Sequence, residues 1–267
     1  MEKLEPPKIS VIIPTWNGEK ILEKVVSSCL NQTLQPFEIL VCDDGSTDNS
    51  KEIIKQINNP IVIWVEGVHS GTPAIPRNRG VELSKGDWIA FCDNDDEWLP
   101  TKLDKQINTV LKLNCKAICT NAIRKVNGIE IDEKMINYKK EKISFGDLLN
   151  GNNIVCSSSM VHKSILEKIG GFSKIIEHGS YADFICWLRV TTQTDFAFIN
   201  ESLVIYDDHP ETSIRATETS AERIRNIAFK NIIDWSKQNK LPYFIYLTKK
   251  HIIKSEILSF IKKIIHA

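Results

Sequence analysis

Ile9-Ser10-Val11-Ile12-Ile13-Pro14 is a short run rich in β-branched residues, followed by Thr15-Trp16-Asn17-Gly18 and then by apolar residues at Ile21, Leu22, Val25, Val26, Cys29 and Leu30. The first pattern is that of a strand and the second that of a helix with one apolar stripe, with Asn17-Gly18 as the turn between them. Further along, the alternation returns three times. Phe37–Cys42 precedes a predicted helix over Asp48–Ile57, Ile61–Val65 precedes Pro76–Leu83, and Trp88–Cys92 precedes Pro100–Leu113. Four β-α units within 113 residues predict an α/β fold with a mostly parallel central sheet flanked by helices. From Ala117 the alternation loosens into mixed strand and helix, Lys134–Lys142 reads as a solvated loop, and after Ser213 the pattern is helical to the end.

A chain of 267 residues, 42% hydrophobic and 25% charged, has the composition of an ordinary globular protein with room for one large domain and an appendage. The net charge is zero but unevenly spread: residues 216–267 hold ten Lys/Arg against four Asp/Glu, leaving the first 215 residues at −6. An acidic body argues against nucleic acid as a partner, whereas a basic tail suits anionic lipid or another protein. The seven cysteines lack framework spacing, and Cys42 and Cys92 sit inside apolar runs, which suggests small buried hydrophobes in a reducing, cytoplasmic setting. Cys115 and Cys119 have no second pair to complete a zinc site. The N-terminus carries no apolar signal region, and no apolar run is long enough to span a membrane.

In open parallel sheets, ligands bind where the loops at the carboxyl ends of the strands meet. Here those loops are Pro14-Thr15-Trp16-Asn17, Asp43-Asp44-Gly45-Ser46 and Asp93-Asn94-Asp95-Asp96. Three carboxylates within four residues repel one another, and a hard divalent cation with oxygen ligands would cancel that charge, so Mg²⁺ or Mn²⁺ holding a diphosphate is the expected cofactor. The same residue types also make turns and helix N-caps, which is the competing reading of each loop. Trp16 offers a flat face for a nucleobase or else belongs to the core, and Arg77 offsets the local acids or forms a structural ion pair.

Taken in order, Ile9 to Asn17, Val41-Cys42-Asp43-Asp44-Gly45-Ser46-Thr47-Asp48, Arg77-Asn78-Arg79-Gly80 and Phe91 to Pro100 resemble the family 2 glycosyltransferases of the GT-A fold. The likeness is close over about the first 110 residues and reappears at Gly170-Gly171-Phe172, at Ala182 to Arg189 and at Tyr206–Ser213. It implies inverting transfer of a sugar from a nucleotide-sugar donor, UDP- or dTDP-linked, to a hydroxyl of a glycan or lipid-linked glycan acceptor. It further implies nucleotide binding by Pro14, Thr15, Trp16, Asp43, Asp44, Arg77, Asp93 and Asn94, and a metal held by Asp95 with Asp93 and His209. Asp96 and Trp187 would face the acceptor and Asp183 would be the general base, with an N-cap as the alternative role for Asp183. Two positions depart from the family pattern: Ala182 stands where Glu is usual and Asp207 where Arg is usual.

The resemblance divides the chain into a glycosyltransferase domain at 1–215, with a nucleotide-binding half at 1–113 and an acceptor-binding half at 114–215, followed by a helical tail at 216–267. Residues 241–267 mix Ile, Leu, Phe and Lys, the composition of a basic amphipathic helix. Packing on its own domain, on a second subunit to give a homodimer, or on the inner face of a membrane all remain open for it. Two rival functions are a sugar nucleotidyltransferase, whose Gly-rich loop is missing at Pro14-Thr15-Trp16-Asn17, and a non-catalytic nucleotide-sugar binder, to which Ala182 and Asp207 would point.

Overall fold

The computed structural model of the chain describes residues 7–175, 181–208 and 221–265. The first half alternates as expected: β1 (Ile9–Thr15), α1 (Leu22–Leu30), β2 (Glu38–Asp43), α2 (Ser50–Ile57), β3 (Val62–Val65), α3 (Ala74–Leu83), β4 (Trp88–Phe91), the short β5 (Glu97–Trp98) and α4 (Lys102–Leu113). The second half carries β6 (Ala117–Val126), β7 (Ile129–Asp132), β8 (Lys142–Ile143), α5 (Phe145–Leu148), a 3₁₀ turn at Cys156–Ser158, β9 (Met160–His162), α6 (Lys163–Ile169), α7 (Ala182–Val190) and β10 (Phe196–Asp208). Two long helices follow, α8 (Ala221–Gln238) and α9 (Pro242–Ile265).

One sheet collects these strands in the order β3-β2-β1-β4-β9-β6-β10-β5. β1 pairs in parallel with both β2 and β4, β2 with β3, and β6 with β10. β9 is inserted antiparallel between β4 and β6, so the main strands on either side of it run the same way. Every residue of β1 and β2 is buried, as expected of strands covered on both faces. Alternate residues feed two cores. Val11 and Ile13 join Leu22, Val25, Ile54 and Ile107 on one face, while Ile12 joins Phe91, Ile185, Trp187, Phe196 and Phe229 on the other. All seven cysteines are free and buried, and burial pushes the thiols of Cys42 and Cys186 up to about 12.

A tight seam lies between α3 and the sheet. A Cβ on Gly80 would stand 2.7 Å from Ile12 Cγ2 and 2.9 Å from Cys42 Sγ, so only glycine lets the helix approach this closely. Gly80→Ala should therefore cost about 1–3 kcal/mol through overpacking, read as a lower urea midpoint at unchanged slope.

The stretch Lys134–Lys142 is the expected largely exposed loop, but it is anchored at its start. Met135 N–H donates to Ala122 O, Asn121 bonds both the N–H and the carbonyl of Ile136, and Ile136 packs against the core. Its lysines hid three residues packed on the cores, Met135, Ile136 and Tyr138, and a backbone that answers β6. The tail packs on the body as well: Ala228, Phe229 and Ile232 of α8 are buried, and Phe244 of α9 meets Phe145 with ring centroids 4.8 Å apart.

Candidate active site

The carboxyl ends of β1, β2, β3 and β4 enclose a cavity of about 400 Å³. Its walls include Pro14, Thr15, Trp16, Asp44, Arg77, Asp93, Asn94 and Asp95, eight of the residues expected there, together with His69, Gly71, Thr72, Pro73 and Pro76. The loops lock to one another before any ligand is considered. Asn17 adopts φ 50° and accepts a hydrogen bond from Thr47 N–H at 2.8 Å, and Asn94 Nδ2 donates to Thr15 Oγ1 at 3.2 Å. Gly45, at φ +79°, brings the second loop against the backbone of His69, where a Cβ would come within 2.6 Å of His69 N.

Trp16 is 52% exposed at the mouth, so its alternative place in the core is ruled out, and its ring stacks on that of His69 at 4.7 Å and 28°. Asp44 is nearly buried and is wrapped by the loop after β3: Ser70 Oγ donates to it at 2.6 Å, and the N–H groups of Ser70 and Gly71 at 3.1 Å. His69 Nδ1 lies 2.9 Å from Asp44 O. This loop was not singled out from the sequence, although its position at the same rim as the other three was the available signal.

Arg77 is buried, packs over the ring of Phe172 at 5.5 Å to its centroid, and pairs with the carboxylate of Asp93. Burial alone would lower its pKa, but the Asp93 carboxylate more than offsets this and holds the guanidinium charged. Both readings of Arg77 thus hold at once: it forms an ion pair and lines the cavity. The neighbouring Asn78 clasps the chain at Phe172, donating to its carbonyl at 3.0 Å and accepting from its N–H at 2.8 Å. That contact joins two of the motifs quoted above.

Three expected positions lie elsewhere. Asp43 accepts hydrogen bonds from Gly45 N–H and Ser46 N–H at 3.0 Å, which turns its carboxylate into its own loop, and it is not part of the cavity wall. Trp187 is fully buried among Phe91, Phe172 and Phe196, so it faces no acceptor; every residue of α7 except Asp183 is buried. Asp96 is 1% exposed and turns inward, accepting from Ser157 Oγ and, at 3.1 Å, from Asp207 N–H. Burial, and then the carboxylates of Asp95 and Asp93, push its carboxyl well above the usual range. His209 lies outside the described residues.

Asp183 sits in the first turn of α7, whose N-cap is Tyr181, so it does not cap the helix. It is half-buried, with Phe184 N–H donating to Oδ1 at 2.7 Å and Asn152 Nδ2 lying 3.4 Å from Oδ2. Burial raises its pKa to about 6, against the lowering effect of Arg77, and Asp93 raises it further. Arg77 and Asp93, whose charges act on Asp183 in this way, both line the cavity.

Among the described residues no group of three or more His, Cys, Asp or Glu could hold an ion by itself. One or two carboxylates at the cavity rim fit a magnesium-type site, in which substrate phosphates and water complete the shell. Asp95 is exposed on the wall and Asp93 is half-buried beside Arg77.

Comparison with known proteins agrees with this geometry. The model of the family described as Glycosyl transferase family 2 matches residues 10–170. An uncharacterised glycosyltransferase of Haemophilus influenzae is 35% identical over 192 residues, 70% of this chain and 74% of that protein. UDP-Glc:alpha-D-GlcNAc-diphosphoundecaprenol beta-1,3-glucosyltransferase WfgD of Escherichia coli is 29% identical over 192 residues, 72% of this chain and 73% of its own. The fold is similar to that of S. aureus TarS in complex with UDP-GlcNAc, with a TM-score of 0.70 at 18% identity over 85% of this chain and 66% of that one. With a family match over more than half of its length and a GT-A fold, the chain belongs to glycosyl transferase family 2 and is a transferase enzyme.

Proposed function

We propose that this enzyme moves a sugar from a UDP-sugar to a hydroxyl of a lipid-linked glycan during assembly of a surface polysaccharide, with inversion at the anomeric carbon and with Mg²⁺ or Mn²⁺. The observation that carries the reading is the cavity in which Trp16, Asp44, Arg77, Asp93 and Asp95 converge. A flat indole at the mouth suits a base, and Asp44 suits the ring N–H of a pyrimidine once the loop at His69–Gly71 yields one of its hydrogen bonds. Asp95, with Asp93, would hold the divalent ion, which when bound neutralises charge on the leaving diphosphate.

The chain's own residues do the rest. Arg77 fixes the Asp93 carboxylate so that it does not reorganise as the donor enters. Asp183 takes the proton of the acceptor hydroxyl as the new C–O bond forms and the anomeric carbon–diphosphate bond breaks, its electron pair leaving with UDP. A carboxyl with a pKa of about 6 is matched to that task, being ionised near neutrality yet basic enough to accept a proton. The division into a donor half at 1–113, an acceptor half at 114–215 and a tail at 216–267 belongs to the same reading, as does work at the inner face of a membrane. The WfgD name, which specifies UDP-Glc and a diphosphoundecaprenol-linked acceptor, and the UDP-GlcNAc complex of TarS support the choice of donor and acceptor class.

A panel of nucleotide sugars, each incubated with and without Mn²⁺, tests the proposal. One UDP-sugar is expected to release UDP slowly without acceptor and only with the metal. Release of pyrophosphate instead, or binding of every donor without turnover, would overturn it.

A further inference from the structure

Helix α9 has two unlike faces. Phe244, Leu247 and Ile252 pack against the core, and Thr248 is buried and donates to Phe244 O. The opposite face leaves Tyr243, Tyr246, Ile253 and Ile257 between 54% and 63% exposed, with the exposed Lys250 among them. At 100° per residue these five positions form a single stripe, and Lys249 and Lys254 flank it at roughly 70° to either side. Lys250 lies 5.7 Å from the ring centroid of Tyr246, its stem laid along the stripe.

We infer that this stripe docks on an anionic lipid bilayer, lying in the interface rather than crossing it. No helix among the described residues is long and apolar enough to cross. Aromatic and branched apolar side chains flanked by lysines on the polar borders are the chemistry that holds a helix at the headgroup boundary. Charge selects the occupant. The helix carries five lysines against one glutamate, so a second copy of itself would bring like charges together around a seam that already contains Lys250. An anionic surface meets the same lysines with opposite charge.

The position of α9 agrees with a lipid-linked acceptor, and for that purpose the inference rests on the function proposed above. Phe244 packs on Phe145 of α5, and the loop that follows α5 carries Asn152, which touches Asp183. One short helix therefore separates the docking helix from the neighbourhood of the base.

The full chain should float with vesicles of phosphatidylcholine and phosphatidylglycerol mixed two to one, not with phosphatidylcholine alone, and less as salt rises. Lys249→Gln/Lys250→Gln/Lys254→Gln should bind about 100-fold more weakly, since each lysine near such a surface contributes about a fivefold factor. Ile253→Ser/Ile257→Ser should abolish flotation while release of UDP from a soluble donor stays at the wild-type rate. Equal binding to neutral vesicles, no binding to either, or a concentration-dependent dimer lost in the Ile253→Ser/Ile257→Ser variant would overturn the inference, the last by assigning the stripe to a second copy. Vesicle binding without UDP release would sink the proposed function and leave this surface standing.

Discussion

Asp183→Asn should bind UDP nearly as tightly as the parent while sugar transfer falls by roughly 10²–10⁴-fold, because an amide of the same shape cannot take the acceptor's proton. Asp183 does not line the cavity, so the nucleotide contacts survive the change. In the unaltered enzyme kcat/KM should rise with pH along a limb centred near 6, and that limb should vanish in the variant. Stability moves the opposite way. A carboxyl whose folded value exceeds its ordinary 3.8 contributes stability below that value, and the contribution is lost as pH rises through about 6. Well above that pH, Asp183→Asn should therefore melt higher than wild type. The gain should be at most about 2 kcal/mol, since the group is partly solvated. A variant with full transfer and an unchanged pH profile would reassign the base.

Asp95→Ala should lower metal-dependent turnover by about 10³-fold, comparable to deleting a preorganised group that meets developing negative charge. Binding of UDP in the presence of a chelator should persist, because Trp16, Asp44 and Arg77 are untouched. Calorimetric titration of Mn²⁺ into the UDP-saturated variant should then show lost affinity. Turnover with the same Mn²⁺ dependence as wild type would remove Asp95 from the metal site.

What could be read from the residues follows from physics of short range. Four strand-like apolar runs, each followed by a helical segment, announce themselves locally, and β1, β2, β3 and β4 lie within a residue or two of their expected bounds. Eight of the expected positions line one cavity for the same reason: strand-end loops of a parallel sheet must share one rim. Direction within a loop was not legible. Asp43 and Asp44 are adjacent, yet one turns into its own backbone and the other toward the cavity, a difference made by Ser70 and Gly71 from a distant segment. Trp187 misled for a similar reason, since a motif places a residue in sequence but only packing decides which way it faces. Lys102 is a plainer case: it is fully buried, donates to Gln106 at 2.9 Å and lies 3.8 Å from the ring centroid of Trp98, and burial lowers its pKa to about 7. Nothing near it in the sequence separates it from the exposed lysines of other helices.

The hydroxyl of Ser157 donates to Asp96 and accepts from the N–H of Asp93 at 2.9 Å, while the Ser157 carbonyl accepts from Trp98 Nε1 at 2.8 Å. The acidic segment that would meet the donor is thus moulded by a residue about sixty positions downstream. During synthesis, the amino-terminal portion emerging alone has every acid it requires but no clamp to set their spacing. On the function proposed above, a chain shortened before that 3₁₀ turn should keep these acids but lose the contacts that set their shape, and with them its affinity for the donor.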